Sequence, residues 1–387
     1  MRAGRSHALW LVASCACAPA APGSESTDSG AGTDAGADSD GGDDGCTQEG
    51  WSPEVADDEG DTGYSPSIAV GRDGIAHVCA REAISAELDR IRYATNAGGA
   101  WSTETILEGR GASSCAVALA LDDSVHLLVG GREVQHGTRS GGAFTWETVD
   151  AREGVVRRAV VDQSSGVHAV YEAAMGLRFP TTGLGYATNA SGGWVATIVE
   201  EPPDAAGSAG RGASLAVEDS GVVHLSYELD DGYGSQTLRH AWNPGGSWSI
   251  EAVADGDADS GNYTSIAVDA SGGVHVSYYG ESSRSLLYAL RTEGVFTVEI
   301  ADEEGGQYTS IALDAEGGVH VVYVSESLSV RHAARGEEAW TIETVDGQGD
   351  AGRGTSLAIH RDGTMWAAYR EAIAGALRVA RGCTLER

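Results

Sequence analysis

The stretch YTSIAVDASGGVHVSYY, Tyr263 to Tyr279, recurs 45 residues later as YTSIALDAEGGVHVVYV, Tyr308 to Val324. Such a repeat indicates that the chain is built from copies of one structural unit. The motif histidine anchors four further copies, around His77, His126, His168 and His224. A seventh copy, SLAIHRDGTMWAAY, has tryptophan in place of the histidine. The anchors are 42 to 56 residues apart, which is close to the ~40 to 50 residues of a propeller blade.

A second marker, an aromatic residue opening a further strand, follows each of the first six copies. It occurs as AWSTETI, AFTWETV, GWVATIV, SWSIEAV, VFTVEI and AWTIETV. A seventh example, GWSPEVAD at Trp51, precedes the first histidine, whereas the last copy ends at LRVARG without such a strand. The N-terminal segment therefore supplies the strand that the C-terminal copy lacks.

The pattern within each copy predicts four strands. The alternation in SIAVD and VHVSYY indicates two strands joined by a tight hairpin of Asp, Ser and Gly. A third strand, such as SLLYALR, precedes the aromatic strand. We therefore predict an all-β, seven-bladed β-propeller with four-stranded blades, the last blade being completed by the N-terminal strand. Closure of such a ring hides the sheet edges that would otherwise pair with other chains.

The first residues, MRAGRSHALWLVASC, combine two arginines with a short apolar core, which is typical of an export signal. The segment Val12-Ala13-Ser14-Cys15 resembles the lipobox of bacterial lipoprotein signal peptides. That resemblance implies cleavage after residues 1–14 and lipidation of Cys15. With Ala16 next, it favours the outer membrane or cell surface, with membrane contact only through the lipid anchor. The alternative is an ordinary secretory signal, which also exports the protein.

Residues 15–45 are predicted to form a disordered tether. From residue 18 onward this segment has seven acidic residues, no basic residue and almost no large apolar side chain. It cannot bury enough apolar surface to offset the entropy lost on ordering. The folded propeller is therefore expected to span residues 46–387.

The position of Cys46 and Cys383 predicts a disulfide. They flank the one connection between third and fourth strands that the chain termini leave open, and a bridge between them would restore it. An exported compartment permits the bond. Cys79 and Cys115 lie on consecutive copies, and the sequence leaves open whether they pair or remain buried thiols.

The repeated histidine has two interpretations. It could be a metal ligand or general base. However, strand two of each blade lies away from the axis, so the copies cannot share one metal, and Trp366 replaces the histidine in the last copy. We therefore interpret it as structural, packed between blades and hydrogen-bonded to backbone or to a repeat Ser or Tyr.

One face of the predicted propeller is acidic, because the connections entering the first strand and leaving the second strand share it. The chain has net charge −32 and no lysine, and the absence of a basic surface excludes nucleic acid as a partner. One interpretation is that the acids keep the protein soluble. The other is that they bind a cationic partner or Ca²⁺, and the candidate Ca²⁺ ligands are Asp255, Asp257 and Asp259. The acids on this face are Asp57, Asp58, Glu59, Asp61, Glu82, Glu172, Glu200, Glu201, Asp204, Glu228, Asp255, Asp257, Asp259, Glu281, Asp302, Glu303, Glu304, Glu326 and Glu371.

Aromatic residues mark a candidate ligand site on the same face. Tyr263 and Tyr308 open the first strand of two neighbouring blades, Tyr64 is close by, and Glu281 opens an adjoining connection. Aromatic rings there could stack on sugars or fill gaps between blades. The longest connections, EAAMGLRFPTTGLGY and ELDDGYGSQTLRHAW, are where specificity is usually built.

The repeat S-[IL]-A-[VL]-D-x-x-G-x-x-H-x-x-Y, with L-x-Y-A and W-x-x-E-x-V, resembles that of exported bacterial proteins of the sialidase-like (BNR-like) propeller group. The resemblance implies the fold rather than an activity. The Asp box of sialidases is absent. The segment Leu177-Arg178-Phe179-Pro180 is similar to their Arg-x-Pro motif but lies in the third blade instead of the first, so we do not assign it a role.

Two functions remain. The sequence favours a monomeric, lipid-anchored, non-catalytic binding module for a polysaccharide or a protein partner, because GxSxG, HExxH and close Cys–His pairs are absent. The alternative is an exported glycoside hydrolase or lyase whose carboxylates lie among the acids of the loop face.

Overall fold

The computed structural model describes residues 46, 50–85, 88–109, 112–139, 142–176, 181–204, 206–253, 260–348, 350 and 352–384. All of these lie in one compact unit, Asp43–Arg387. Their regular secondary structure is entirely β. None of the described residues belongs to a helix long and apolar enough to cross a membrane.

The described residues form 28 strands. In chain order these are β1 Ser52–Asp57, β2 Tyr64–Val70, β3 Ala76–Ser85, β4 Leu88–Thr95, β5 Ser102–Gly109, β6 Ser114–Leu119, β7 Val125–Gly130, β8 Val134–Arg139, β9 Phe144–Asp150, β10 Gly154–Val161, β11 Val167–Ala174, β12 Thr182–Thr188, β13 Val195–Glu200, β14 Ser208–Val217, β15 Val223–Asp230, β16 Gln236–Asn243, β17 Ser249–Ala252, β18 Ser260–Val268, β19 Val274–Gly280, β20 Ser285–Thr292, β21 Val295–Asp302, β22 Gly305–Leu313, β23 Val319–Ser325, β24 Val330–Arg335, β25 Trp340–Asp346, β26 Arg353–Ile359, β27 Thr364–Glu371 and β28 Ala376–Cys383.

Consecutive strands pair antiparallel in groups of four, named here units 1 to 7, with strands a to d in each. Units 1 to 6 begin at β2, β6, β10, β14, β18 and β22. A single parallel pair, Thr182 with Ser208, links units 3 and 4. Unit 7 has the order β26-β27-β28-β1, so the N-terminal strand pairs with the C-terminal one, as the sequence predicts.

The core lies between neighbouring sheets. In unit 5, strand b (β19) is buried at every position, whereas five of the eight residues of strand d (β21) are exposed. Leu286 and Tyr288 of unit 5 pack with Ile311, Val321 and Tyr323 of unit 6. Burial of strand b on both faces explains why the sequence is nearly continuously apolar there.

A series of serine hydroxyls joins strand a of one unit to strand a of the next. Each accepts a hydrogen bond from a backbone N–H, and Ser356 of unit 7 accepts one from Ile68 of unit 1 at 3.2 Å. The last unit therefore contacts the first. We name these serines the serine belt. In the other five bonds the serine hydroxyl accepts from the backbone N–H of a residue in the next unit: Ser67 accepts from Val117, Ser114 from Val156, Ser214 from Ile266, Ser265 from Ile311 and Ser310 from Leu357.

Two disulfides connect the described cysteines. Cys46 is joined to Cys383, with 5.5 Å between their Cα atoms. Cys79 is joined to Cys115, which the sequence left open. Because disulfides persist in oxidising compartments, both bonds indicate an extracellular or exported protein.

Candidate functional site

Many acids of the loop face hold neighbouring units together. The carboxylate of Asp346, at the end of strand d in unit 6, accepts a hydrogen bond from Tyr369 of unit 7 at 2.6 Å. Arg378 of unit 7 lies 3.0 Å from the same oxygen. Asp302 is held in the same way by Tyr323 and Arg331. These carboxylates are therefore structural, and their charge is compensated from the next unit.

The same arrangement recurs at other units. Glu200 accepts from Tyr227 of unit 4 and pairs with Arg239 at 3.1 Å. Asp57 is buried against Arg92, with 2.8 Å between Oδ2 and Nε. The three aspartates proposed for Ca²⁺, Asp255, Asp257 and Asp259, lie outside the described residues. Within the described ranges, no group of three or more His, Cys, Asp or Glu side chains is arranged to hold a metal ion.

The repeated histidines belong to hydrogen-bonded chains within their own units. Nε2 of His275 lies 3.1 Å from Asp269, in the turn between strands a and b, and its Nδ1 lies 2.6 Å from the Tyr288 hydroxyl of strand c. His320 is bonded in the same way to Asp314 and His332. Burial lowers the pKa of His275. The structural interpretation is consistent with this, but the bonds lie within a unit rather than between units.

A cavity of about 140 Å³ lies where the seven strands a meet. We name it the central cavity. Strand a of unit 2 contributes one residue to its lining, and each of the other strands a contributes three. Tyr263 and Tyr308 line it together with polar residues of the other units. The central positions of its lining are Ser67, Cys115, Arg158, Ser214, Ser265, Ser310 and Ser356.

Tyr263 and Tyr308 have unusual backbone conformations. Their φ angles are 55° and 53°, a left-handed region that bulky side chains rarely adopt. Both lie where strand a bulges against strand b. The corresponding residues of units 4 and 7 are Gly212 and Gly354, also with positive φ. Glycine adopts this conformation without strain, so the tyrosines occupy it at an energetic cost.

The two tyrosines contact each other at the cavity. Their ring centroids are 4.2 Å apart, with an angle of 45° between the planes. Both side chains are half-buried, so part of each ring faces solvent. Burial, the hydrogen bond to Tyr308, and the charges of Glu281 and Glu228 raise the pKa of Tyr263. We name Tyr263, Tyr308, Glu228 and Glu281 the tyrosine–glutamate cluster.

Glu228 is the most unusual acid of the cluster. Its side chain is fully buried, and Oε2 has no hydrogen-bond partner among the described residues. Its Oε1 lies 3.5 Å from Arg211 Nη1, which is at the long limit of a hydrogen bond. Burial raises the pKa of Glu228 to about 7, and the Arg211 charge only partly opposes this. The carboxyl group can therefore gain or lose a proton near neutral pH.

The other candidates have different environments. Glu281 is exposed. Tyr64 donates a hydrogen bond to Asp61 at 3.0 Å, and its ring lies between Arg370 and Arg81, at 4.1 and 4.8 Å from the guanidinium carbons. Tyr64 is not among the residues that line the central cavity. Tyr263 and Tyr308 thus contact each other, the charge of Glu281 acts on Tyr263, and Tyr64 instead contacts Asp61, Arg81 and Arg370.

Sequence reasoning missed three residues. Glu228 was one of six glutamates that the sequence placed at the b-to-c connections; Glu82 and Glu172 are buried too, but Glu228 is the one that is completely buried. Tyr233, in the long connection of unit 4, is 84% exposed, and only the length of that connection pointed to it. Arg158 occupies the position in strand a where most copies have serine, and an alignment of the copies in register would have revealed it. Arg178 lies outside the described residues.

Solved structures similar to the chain are sialidase-like and other β-propeller proteins. A polysaccharide lyase (ulvan lyase) bound to -[GlcA(1-4)Rha3S]- has a TM-score of 0.55 at 11% identity, covering 83% of this chain and 94% of its own. The Cps50 (Swd1) β-propeller domain of Myceliophteria thermophila has a TM-score of 0.53 at 12% identity, and the match covers 86% of this chain and 100% of that domain. A Hadza microbial sialidase has a TM-score of 0.50 at 10% identity, and the match covers 86% of this chain and 67% of the sialidase chain. No protein-family model and no curated protein matches the chain.

At these identities the similarity establishes the fold: the chain is a β-propeller. The sialidase-like fold predicted from the repeat agrees with these neighbours. The activity has to be argued from the site itself, because one fold carries many functions.

Proposed function

We propose that the chain is an exported, monomeric, seven-bladed β-propeller that binds carbohydrate at the mouth of the central cavity. The seven four-stranded units, the cavity shared by their strands a, and the bond from Ile68 to Ser356 support a closed ring of blades. In such a ring the d-to-a and b-to-c connections surround the mouth of the cavity.

The tyrosine pair is the observation that carries this proposal. Two half-buried aromatic rings lie side by side at the cavity, in a backbone conformation that costs ~1 to 3 kcal/mol per residue and that two other units fill with glycine. If the tyrosines only filled a gap between units, side chains at positions with an unstrained backbone could fill it equally well. Strain of this kind persists at binding sites, where the position of a side chain matters more than its cost.

The surroundings of the pair suit a saccharide. Sugars present apolar ring faces and many hydroxyls, so an aromatic surface beside carboxylates provides both stacking and hydrogen bonding. The exposed Glu281 supplies a carboxylate beside the pair, and exposed Tyr233 lies in a connection on the same face. The ulvan lyase and the sialidase, which share the fold, support this class of ligand by analogy only.

The test is a glycan array followed by titration of the best ligand. Tyr263→Ala and Tyr308→Ala should each weaken binding by ~1 to 3 kcal/mol, as for other aromatic stacking contacts. Tyr64→Ala is the matched control, because Tyr64 shares the face but does not line the cavity. Equal losses in all three variants would place the site elsewhere. A protein ligand is the competing outcome, and it would be indicated by an array without signal.

A second function, cleavage of the bound saccharide, would use a carboxylate of the loop face as general acid or base. The exposed Glu281 is the candidate beside the tyrosine pair, because the buried Glu228 does not line the cavity. The test is to incubate the array ligand with the chain and to measure new reducing ends and unsaturated products, which distinguish hydrolysis from elimination. Glu281→Gln should abolish turnover and retain binding. Absence of products at all pH values would leave the binding function alone.

We also propose that the propeller, residues 46–387, is tethered by residues 15–45 to a lipid on Cys15 in the outer membrane or at the cell surface. This proposal rests on the sequence, because these residues before Cys46 lie outside the described residues. Metabolic labelling with a palmitate analogue should mark the wild-type chain and the Cys17→Ala variant but not Cys15→Ala. Labelling of Cys15→Ala would remove the anchor from the proposal.

A further inference from the structure

Two arginines, Arg157 and Arg158, line the central cavity, and Arg158 stands where the other units have small residues. In each unit, the repeat histidine of strand b, or Trp366 in unit 7, pairs with a residue of strand a. The position compared here is the strand a residue two places before that paired residue. In unit 3 this residue is Arg158, paired with Val170. The equivalent residues are Ser67, Ala116, Ser214, Ser265, Ser310 and Ser356. Arg158 therefore interrupts the serine belt and brings a positive charge to the cavity.

Arg158 has no acidic partner. Neither a hydrogen bond nor an ion pair connects it to any described residue, and its side chain is only half-buried, with access to the cavity. Neighbouring Arg157 differs, because its Nε lies 2.7 Å from Glu172. No Asp or Glu is among the described residues that line the cavity, although the chain has a net charge of −32. The cavity is thus a positive site in an acidic protein.

The serine belt adds hydrogen-bond donors. Ser67, Ser265, Ser310 and Ser356 each accept a backbone N–H. A hydroxyl that accepts still has one proton to donate, and in none of the four is that proton given to a described residue. All four line the cavity with Arg158. Buried donors without acceptors are energetically costly. A bound acceptor would relieve this cost.

We propose that the central cavity binds an anionic oxygen group, a carboxylate or a sulfate, through Arg158 and the hydroxyls of the serine belt. A guanidinium recognises both groups by paired hydrogen bonds, and serine hydroxyls complete the shell. The cavity, at about 140 Å³, is larger than the ~30 Å³ of one water molecule. The group can come from a free ion or from an acidic sugar whose ring contacts Tyr263 and Tyr308. The anion site itself does not depend on the proposed carbohydrate function.

The experiment is calorimetric titration of the full chain with sulfate, acetate, glucuronate and glucose at constant ionic strength. The key variant is Arg158→Ser, which restores the residue found in most other units and should therefore fold. Arg361→Ser is the matched control, because it removes the same charge from an exposed turn between β26 and β27. Melting temperatures of all three proteins, with and without sulfate, verify folding.

We expect saturable binding of sulfate or of a carboxylate to the wild type and to Arg361→Ser, weakened at least tenfold in Arg158→Ser. Glucuronate binding at least tenfold tighter than acetate assigns the group to an acidic sugar, and equal affinity assigns it to a free ion. Weakened glucuronate binding in Tyr263→Ala with sulfate binding retained would support the sugar site, whereas unchanged glucuronate binding in that variant would refute the sugar site but not the anion site. Affinities within twofold in all three proteins, or no binding of any anion, would overturn the proposal.

Discussion

The ring of Tyr263 lies 4.2 Å from the ring of Tyr308, although each residue has a positive φ angle. Both tyrosines occupy the same position of the repeat, in neighbouring units. The repeat therefore serves as a scaffold at most positions and carries a specialised side chain at this one. Because the corresponding residues Gly212 and Gly354 have the same conformation, the backbone geometry belongs to the fold and the aromatic ring is the variable part.

Because of this geometry, we expect glycine to be a less destabilising substitution than alanine at Tyr263, which is the reverse of the usual order. Alanine retains the strain of positive φ, whereas glycine relieves it. We expect Tyr263→Gly to have a higher free energy of unfolding than Tyr263→Ala, by about 1 kcal/mol. Urea denaturation of both variants measures the difference. Tyr279, which is buried in β19 without positive φ, is the control, and there alanine should be the more stable substitution. The same order at both positions would contradict the argument.

Glu228 should make stability depend on pH. Its pKa is raised from 4.5 to about 7 in the folded protein, so the folded state holds its proton more tightly than the unfolded state. The resulting stabilisation is present below about pH 4.5 and is lost as pH rises through about 7. Its magnitude is on the order of 3 kcal/mol.

Glu228→Gln removes this dependence. The difference in unfolding free energy between wild type and variant should shift against the wild type between pH 5 and pH 8, as measured by urea denaturation at both values. Glu303→Gln is the control, because Glu303 is exposed on the same face. An identical pH profile for wild type and Glu228→Gln would show that Glu228 titrates normally.

The repeat made most of the fold predictable from sequence. The strand order, the pairing of β1 with β28 and the bond from Cys46 to Cys383 depend on local patterns and on the count of copies. Histidine in a buried structural role was predictable because tryptophan replaces it in one copy. The predicted bond to a repeat tyrosine is present between His275 and Tyr288, whereas the bond to Asp269 was not predicted.

The site was less predictable, for a physical reason. Some carboxylates of the acidic face are bound by side chains of the next unit, and others are exposed and free to contact a ligand. The two kinds differ only in their contacts across the unit boundary. Asp302 is bound by Tyr323, 21 residues away, whereas Glu281 is exposed. Similarly, the raised pKa of Glu228 follows from burial, which the repeat pattern assigns equally to its five counterparts. The way in which neighbouring sheets pack determines whether each carboxylate is bound, buried or exposed, and this packing cannot be read from a single sequence.

The bond between Cys46 and Cys383 should contribute more to stability than that between Cys79 and Cys115. The first closes a separation of 337 residues and the second one of 36. In the loop-entropy model, the longer loop loses more freedom when closed, so Cys46→Ser with Cys383→Ser should cost about 5 to 6 kcal/mol, and the other pair about 3 to 4. Thermal and urea unfolding of both double variants test the order. Equal or reversed costs would contradict it.

Asp346 provides the test of whether the acidic face is structural. Its side chain is buried between Tyr369 of strand b and Arg378 of strand c in the next unit, at 2.6 and 3.0 Å. Asp346→Asn keeps the shape but removes the charge that pairs with Arg378. Breaking a buried pair from one side costs ~3 to 5 kcal/mol; since Arg378 is 20% exposed, we expect about 2 to 3 kcal/mol in urea denaturation. Tyr369→Phe should cost about 1 kcal/mol, the value of one hydrogen bond.

Exposed Glu303 is again the control, and Glu303→Gln should leave stability within about 0.5 kcal/mol of the wild type. Asp346→Asn should leave the affinity for any saccharide or anion unchanged, because Asp346 does not line the central cavity. Coupling between Asp346→Asn and Tyr369→Phe, measured in a double-mutant cycle, should be 0.5 kcal/mol or more, as for residues in one hydrogen-bond network. Unchanged stability of Asp346→Asn together with weakened ligand binding would instead assign these carboxylates to the binding surface.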